Sequence, residues 1–268
     1  MKVFHFFILE IVFFLFPTIS QAQKDGYYSN WAMAMKNPEL VIRLRCTDLK
    51  ELPSDVEKFI NLEELDLSLN HLTMLPKEIG KLKKLRKLDL WHNHLQELPE
   101  ELYNLKNLIE LDLSANQIQK LSPSIGNLQT LFHLNLSANQ LKTLPAEIGK
   151  LTTLVELDIN GNKINSLPAE IGNLSALKTF YIGGEHGGNL ITTLPTEIGG
   201  LSSLERLVCL NTPLETIPFE LFRLRALKYI DVRGSKLSEK DKKRIKENFL
   251  GKEVLVVGRN YFPLSSDC

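Results

Sequence analysis

The side chains of this sequence that could attack a carbon, hold a metal or pass a proton are few and scattered. Cysteine stands at Cys46, Cys209 and Cys268, an odd number with no two close together. That arrangement suggests neither a disulfide framework nor a zinc site. His92, His94, His133 and His186 follow no spacing that a metal-ligand set requires. GxSxG, P-loop and HExxH patterns are absent. The expectation is therefore no catalytic residue, no cofactor and no resident metal: not an enzyme. One cluster of polar and flexible residues remains, Gly183-Gly184-Glu185-His186-Gly187-Gly188, and its meaning depends on the elements around it.

The bulk properties narrow the class. A chain of 268 residues holds one large domain or two ordinary ones. Apolar residues make up 43% and charged residues 24%, normal for a protein that buries a core. Lys plus Arg and Asp plus Glu both number 32, so no global charge points to nucleic acid or to an anionic membrane. Residues 1–22 are of another kind. Lys2 precedes a run of Phe, Ile, Leu and Val that ends at Pro17, and Ser20 and Ala22 are small residues at the places a signal peptidase reads. This fits a secretory signal cleaved after Ala22, with an uncleaved anchor as the alternative. The run is shorter than the roughly 20 apolar residues of a membrane span, and its Glu10 is foreign to both readings. After cleavage no stable membrane insertion is expected.

An internal repeat organises the rest. Copies begin at Leu62, Leu85, Leu108, Leu131 and Leu154, 23 residues apart and without gaps. A degenerate copy begins at Glu39, and further copies at Leu177, Leu204 and Leu227. The Leu177 copy is longer by four residues, and the excess falls in YIGGEHGGN. Within a copy, L-x-x-L-x-L has the period of two that marks a strand with one wet face. Such a strand cannot bury its apolar side alone, so successive copies must stack. Asn70, Asn93, Asn116, Asn139, Asn162 and Asn189 stand where the chain leaves each strand; an amide there can pair backbone groups of adjacent coils. Thr47, Thr212 and Ser235 are expected to do a weaker version of the same in the outer copies. P-x-E-I-G reads as a brief helical segment closed by glycine.

The pattern L-x-x-L-x-L-x-x-N-x-L followed by x-x-L-P-x-E-I-G-x-L resembles the leucine-rich repeat family, over about residues 39 to 237. The LPxEIGxL spacing looks like the subgroup common in bacterial and Ras-associated members. The resemblance implies an α/β solenoid, a horseshoe with a concave parallel β-sheet and short helical or 3-10 segments on the convex side. It also implies protein partners. Some bacterial members carry a catalytic ubiquitin-ligase domain; residues 238–268 are too few for one. The expected organisation is a signal at 1–22, an N-terminal cap at 23–38, nine repeats at 39–237 and a C-terminal cap at 238–268. Trp31, Met33 and Met35 are candidate plugs at one end. At the other, Ser238 is the expected N-cap of a helix covering the last coil with Ile245 and Phe249, and KEVLVVG a final strand.

On such a sheet the wet positions of successive strands form three columns. The middle one reads Arg43, Asp66, Asp89, Asp112, Asn135, Asp158, Tyr181, Val208, Asp231. The position before it gives Val41, Glu64, Lys87, Glu110, His133, Glu156, Thr179, Arg206, Tyr229, and the one after gives Arg45, Ser68, Trp91, Ser114, Ser137, Asn160, Gly183, Leu210, Arg233. Departures from the repeated template carry the information about a partner. Trp91 and Tyr181 replace Ser and Asp, and Val208 and Leu210 put apolar groups on a wet face beside Arg206 and Tyr229. Trp, Tyr and Arg are the usual anchors of protein interfaces. The candidate contact residues are Trp91, His133, Tyr181, Glu185, His186, Arg206, Val208, Leu210 and Tyr229, with GGEHGG as a flexible rim beside them. The function expected is secreted or cell-surface recognition of a protein partner. The alternatives are a cytoplasmic signalling scaffold and a binder of glycan or another cell-envelope component.

Overall fold

Each L-x-x-L-x-L step forms one short strand, because alternate residues point into the stack and out to water. A computed structural model describes residues 25–185 and 187–249 in full and the backbone of 253–255. The expected signal at 1–22, His186 and Cys268 lie outside the described residues. The strands are β1 (Tyr27–Tyr28), β2 (Arg43–Arg45), β3 (Glu64–Asp66), β4 (Lys87–Asp89), β5 (Glu110–Asp112) and β6 (His133–Asn135). They continue with β7 (Glu156–Asp158), β8 (Thr179–Gly184), β9 (Gly187–Gly188), β10 (Arg206–Cys209), β11 (Tyr229–Asp231) and β12 (Glu253–Leu255). They form one sheet. All pair in parallel in chain order except β9, which turns back antiparallel on β8. The inward leucines Leu65, Leu88, Leu111, Leu134 and Leu157 are buried, as are Phe180, Leu207 and Ile230, which continue their column. The chain is the expected solenoid. Among the described residues no helix is long and apolar enough to cross a membrane.

The asparagine column works as the sequence suggests. The Asn116 amide donates to the carbonyls of Leu90, Leu113 and Ser114 at 2.9, 3.1 and 3.2 Å. Its oxygen accepts from the Leu95 N–H at 2.9 Å. One buried side chain thus joins two coils and satisfies backbone groups that have no strand partner. Asn70, Asn93, Asn139 and Asn162 repeat the scheme, and Asn189 keeps it beyond the longer copy.

The hydroxyl substitutes do not. Thr212 Oγ1 and Ser235 Oγ are buried without a hydrogen-bond partner, since a hydroxyl carried directly on Cβ reaches less far across the turn than an amide. Thr47 is exposed and donates to Asp48 Oδ2. Its copy is also shorter than assumed. Arg43, Leu44 and Arg45 pair with Glu64, Leu65 and Asp66, so Arg45 stands in the aspartate column and Arg43 one place before it. Val41, expected on the wet face, is fully buried. The Leu49 N–H meets Asn70 Oδ1 as Leu72 meets Asn93 Oδ1, so the turn from Cys46 to Leu49 has lost two residues and its asparagine.

The convex side carries 3-10 helices such as Lys77–Lys81, Ala146–Lys150 and Ala169–Asn173, each beginning just after the template proline. Their glycines do not close them in a left-handed conformation. A methyl group on Gly172 would sit 2.2 Å from the Glu197 carbonyl oxygen of the next coil, so the residue is glycine because the coils touch there.

At the ends, Asn30 caps the helix α1 (Trp31–Ala34), accepting from the Met33 N–H. Trp31 packs edge-on against Phe59 with centroids 5.1 Å apart. Met35 joins the core, whereas Met33, also expected to plug it, is 40% exposed. At the other end Ser238 caps the helix α2 (Glu239–Asn248), whose Ile245 and the following Phe249 are buried. On the same helix the Arg244 guanidinium lies 5.1 Å from the Phe222 ring centroid.

A candidate partner-binding face

The middle column of the sheet begins with a local structural duty. Asp66, Asp89, Asp112, Asp158 and Asp231 each accept, through Oδ1, the N–H two residues on. Each carboxylate thereby ends its own strand, which fits a feature present in nearly every copy. Asn135 does the same with an amide. Over β4 to β7 these groups line a cavity of about 220 Å³, together with Lys87, Glu110, His133 and Glu156. Lys87 Nζ lies 2.7 Å from Glu110, and His133 Nδ1 3.5 Å from Glu156. Among the described residues no three His, Cys, Asp or Glu side chains converge to hold a metal.

Burial raises the pKa of Asp158 above the usual carboxylate range, and Glu156 and Asp112 add to the rise. The folded value exceeds the unfolded one. The charged form therefore burdens the fold above the folded pKa, and the burden vanishes as pH falls through that value toward the unfolded one. Asp158→Asn, which installs the amide that Asn135 already carries at this place in its own copy, is expected to stabilise the protein at pH 7. That gain should shrink on acidification in urea unfolding at several pH values; a variant equally stabilised at pH 3.5 would contradict it.

The two described thiols are buried and held in the protonated form. Cys46 is buried in the core place that matches Leu67. Burial, aided by Asp66, pushes its pKa up to about 11. Cys209 is fully buried and its pKa is raised further by the same cause, with Asp231 adding to it.

The C-terminal half of the face differs in kind. Tyr181, Val208 and Asp231 lie side by side in register, and so do Thr179, Arg206 and Tyr229. The Arg206 guanidinium sits 4.0 Å above the Tyr229 ring, a cation–π contact that fixes both side chains. Leu210 is half-buried. Val208 is present but only 8% exposed, so it adds little surface. Sequence reasoning passed over Arg233. Its guanidinium grips the buried Asp231 with Nε at 2.9 Å and Nη2 at 2.6 Å; an Arg two residues after an Asp, just past the strand, was the available signal.

The inserted GGEHGG is not a loose rim. Gly183 pairs with Gly188 and Gly184 with Gly187, making a tight antiparallel hairpin that presents Glu185 to solvent. A methyl group on Gly183 would lie 2.1 Å from the Leu210 carbonyl oxygen, and one on Gly188 2.3 Å from that of Asn211. The Asn211 amide, also unforeseen, donates to Gly184 O at 3.2 Å. The hairpin is thus pressed onto the coil that carries Leu210. His186 lies outside the described residues. Two other expected residues are not brought to this cluster. Trp91, 42% exposed and edge-on to His92, is four coils from Gly183, about 19 Å at strand spacing. His133 is three coils from Arg206 and belongs to the acidic centre.

Comparison with known proteins agrees with this geometry. A family model described as a leucine-rich repeat region matches residues 77–140 and 125–252, and a leucine rich repeat model matches 41–95. No curated protein matches the chain significantly. Among solved structures, an internalin (inlF) from Listeria monocytogenes is 22% identical with a TM-score of 0.65, over 83% of this chain and 68% of the other. An internalin C2 from the same species is 22% identical with a TM-score of 0.60, over 83% and 82%. The ectodomain of the Arabidopsis thaliana receptor kinase GASSHO1/SCHENGEN3, solved in complex with CASPARIAN STRIP INTEGRITY FACTOR 2, is 27% identical with a TM-score of 0.53. That match covers 74% of this chain and 26% of the receptor chain.

Proposed function

The chain belongs to the leucine-rich repeat family, a fold commonly used to bind proteins, and from that premise we propose a secreted, non-enzymatic recognition protein that holds a protein partner on the C-terminal half of its concave face. The observation that carries this is the cluster of Tyr181, Arg206 stacked on Tyr229, and Leu210, with the paired glycines Gly183–Gly188 and Gly184–Gly187 lying against the coil of Leu210. Aromatic and arginine side chains that are already fixed lose little entropy on binding, which is why they anchor interfaces. A related ectodomain solved with CASPARIAN STRIP INTEGRITY FACTOR 2 lends the reading support. The reading takes residues 1–22 as the export signal, 23–38 and 238–268 as caps, and 39–237 as the nine repeats.

The test is a pull-down with the full chain beside a Tyr181→Ala, Leu210→Ser, Tyr229→Ala variant of equal melting temperature. A protein held by the first and released by the second, with affinity reduced about thirtyfold or more, is the expected result. Equal capture moves the site off this face. Glycan binding lost with Trp91→Ala would favour an envelope ligand, and unprocessed chain in the cytosol would favour a scaffold there.

A further inference from the structure

A second surface lies on the rim of the solenoid that precedes the strands. The residues just before β3 to β8, β10 and β11 form a column there, Glu63, Arg86, Ile109, Phe132, Val155, Lys178, Glu205 and Lys228, and the exposed Ile42 before β2 continues it beyond Glu63. Three successive members are apolar and the flanks are charged. Phe132 is 45% exposed, and Ile109 and Val155 are half-buried. A trough of about 500 Å³ runs beside them, lined by Glu63, Arg86, Ile109, Thr130, Phe132 and Thr153 among others.

The uncharged polar side chains of this rim are already occupied, and at its C-terminal end Lys228 Nζ and Glu205 Oε2 pair within the chain at 2.6 Å, a pair the facing charges would join. Thr130 Oγ1 lies 2.8 Å from the carbonyls of both Lys106 and Leu108, and Thr153 Oγ1 2.7 and 2.8 Å from those of Gln129 and Leu131. Asn107 donates to Lys83 O. Covering the rim would therefore strand few donors, and desolvation there is cheap.

The order of the charges specifies the occupant. We infer that the rim binds a second copy of this chain about a twofold axis between Phe132 and Val155. With the two stacks antiparallel, residues equally far from the axis face one another. Phe132 then meets Val155, Ile109 meets the stem of Lys178, Arg86 meets Glu205, and Glu63 meets Lys228. Moving the axis onto Phe132 sets Arg86 against Lys178 and Glu63 against Glu205, both repulsive. Moving it between Ile109 and Phe132 sets Arg86 against Val155. One register satisfies apolar and charged pairs together. The trough lies on the N-terminal side of the axis, so each copy's trough receives the Val155–Lys228 half of the other. The strip is eight coils long and narrow, which places the dimer in the weak, small-interface class. The concave faces stay open, so the inference stands apart from the proposed partner site.

Sedimentation equilibrium of the full chain from about 1 to about 300 µM is the test, with a micromolar dissociation constant expected. Phe132→Glu, an exposed position that leaves the melt unchanged, should weaken the dimer about thirtyfold or more. Two further variants decide the register. Neither Glu63→Lys with Arg86→Glu, nor Glu205→Arg with Lys228→Glu, should dimerise alone, but an equimolar mixture should form heterodimers. Each facing pair in the mixture is again of opposite charge. The Tyr181, Leu210, Tyr229 variant should dimerise like the parent. A parent chain monomeric throughout the range, a dimer indifferent to Phe132→Glu, or charge variants that self-associate like the parent would each overturn the inference.

Discussion

Asn116→Ala should lower the unfolding free energy by about 4 kcal/mol. The substitution strands the Leu95 N–H and takes one of two donors from each of the Leu90, Leu113 and Ser114 carbonyls, which keep Asn93, Asn139 and the His92 N–H. Asn116 itself is only 7% exposed, so water cannot replace the lost bonds readily. The loss is shared between two coils, because the amide takes its partners from both. Urea unfolding with an unchanged slope is the measurement. A decrease below about 1 kcal/mol would mean that the ladder is ornamental. Thr212 provides the control. Its Oγ1 is buried and has no partner, so Thr212→Val, which keeps the shape and removes the hydroxyl, should leave stability level or raise it by about 1 kcal/mol.

Gly172→Ala is the second large effect, about 3 kcal/mol of destabilisation, although alanine is the better residue for a helix by propensity. The added carbon would stand 2.2 Å from the Glu197 carbonyl oxygen and 2.9 Å from that residue's carbonyl carbon. Backbone cannot step aside without separating two coils along the convex side. A propensity argument gives the opposite sign, so thermal melting of this one variant discriminates between the two accounts. The chain contains its own exception at Tyr103, which is buried where Gly80 and Gly126 stand in neighbouring copies. There the facing coil is rebuilt: Ser122 takes the place of the usual proline, caps the helix Pro123–Asn127 through the Ser124 N–H, and Ser124 replaces the bulkier glutamate. Burial pushes the Tyr103 phenol up to about 12, as expected of a ring sealed between coils.

The repeat frame was legible because one strand, one turn and one 3-10 segment recur with the same spacing, and the period of two identifies the buried leucines without ambiguity. Legibility failed wherever the contact was with the next coil rather than within the copy. The template glycines looked like left-handed caps because a sequence displays neighbours in the chain, not the carbonyl pressing from another coil. The first copy was misaligned by counting back one full period, when its turn from Cys46 to Leu49 is two residues short. Glycine-rich composition suggested a loose rim at Gly183–Gly188, yet the same lack of side chains lets the hairpin lie flat on Leu210 and Asn211. On the candidate face the departures Tyr181, Arg206, Leu210 and Tyr229 were readable as substitutions. The burial of Val208 was not, since the residues beside it on the sheet come from other copies.

The short reach of the asparagine bonds has a genealogical consequence. Each amide refers only to its own turn and the coil before it, so the asparagine ladder does not record a copy's ordinal place; among the central copies, the one with Tyr103 is tied to Ser122 and Ser124 of its successor. Unequal recombination in the gene could add or remove a unit and leave the asparagine ladder of the others intact. The hairpin breaks that freedom. Gly183 and Gly188 fit against Leu210 and Asn211 of one particular successor, so these two copies must be inherited as a pair. The length of the N-terminal arm is free to drift between lineages, while the candidate binding end travels as a single block.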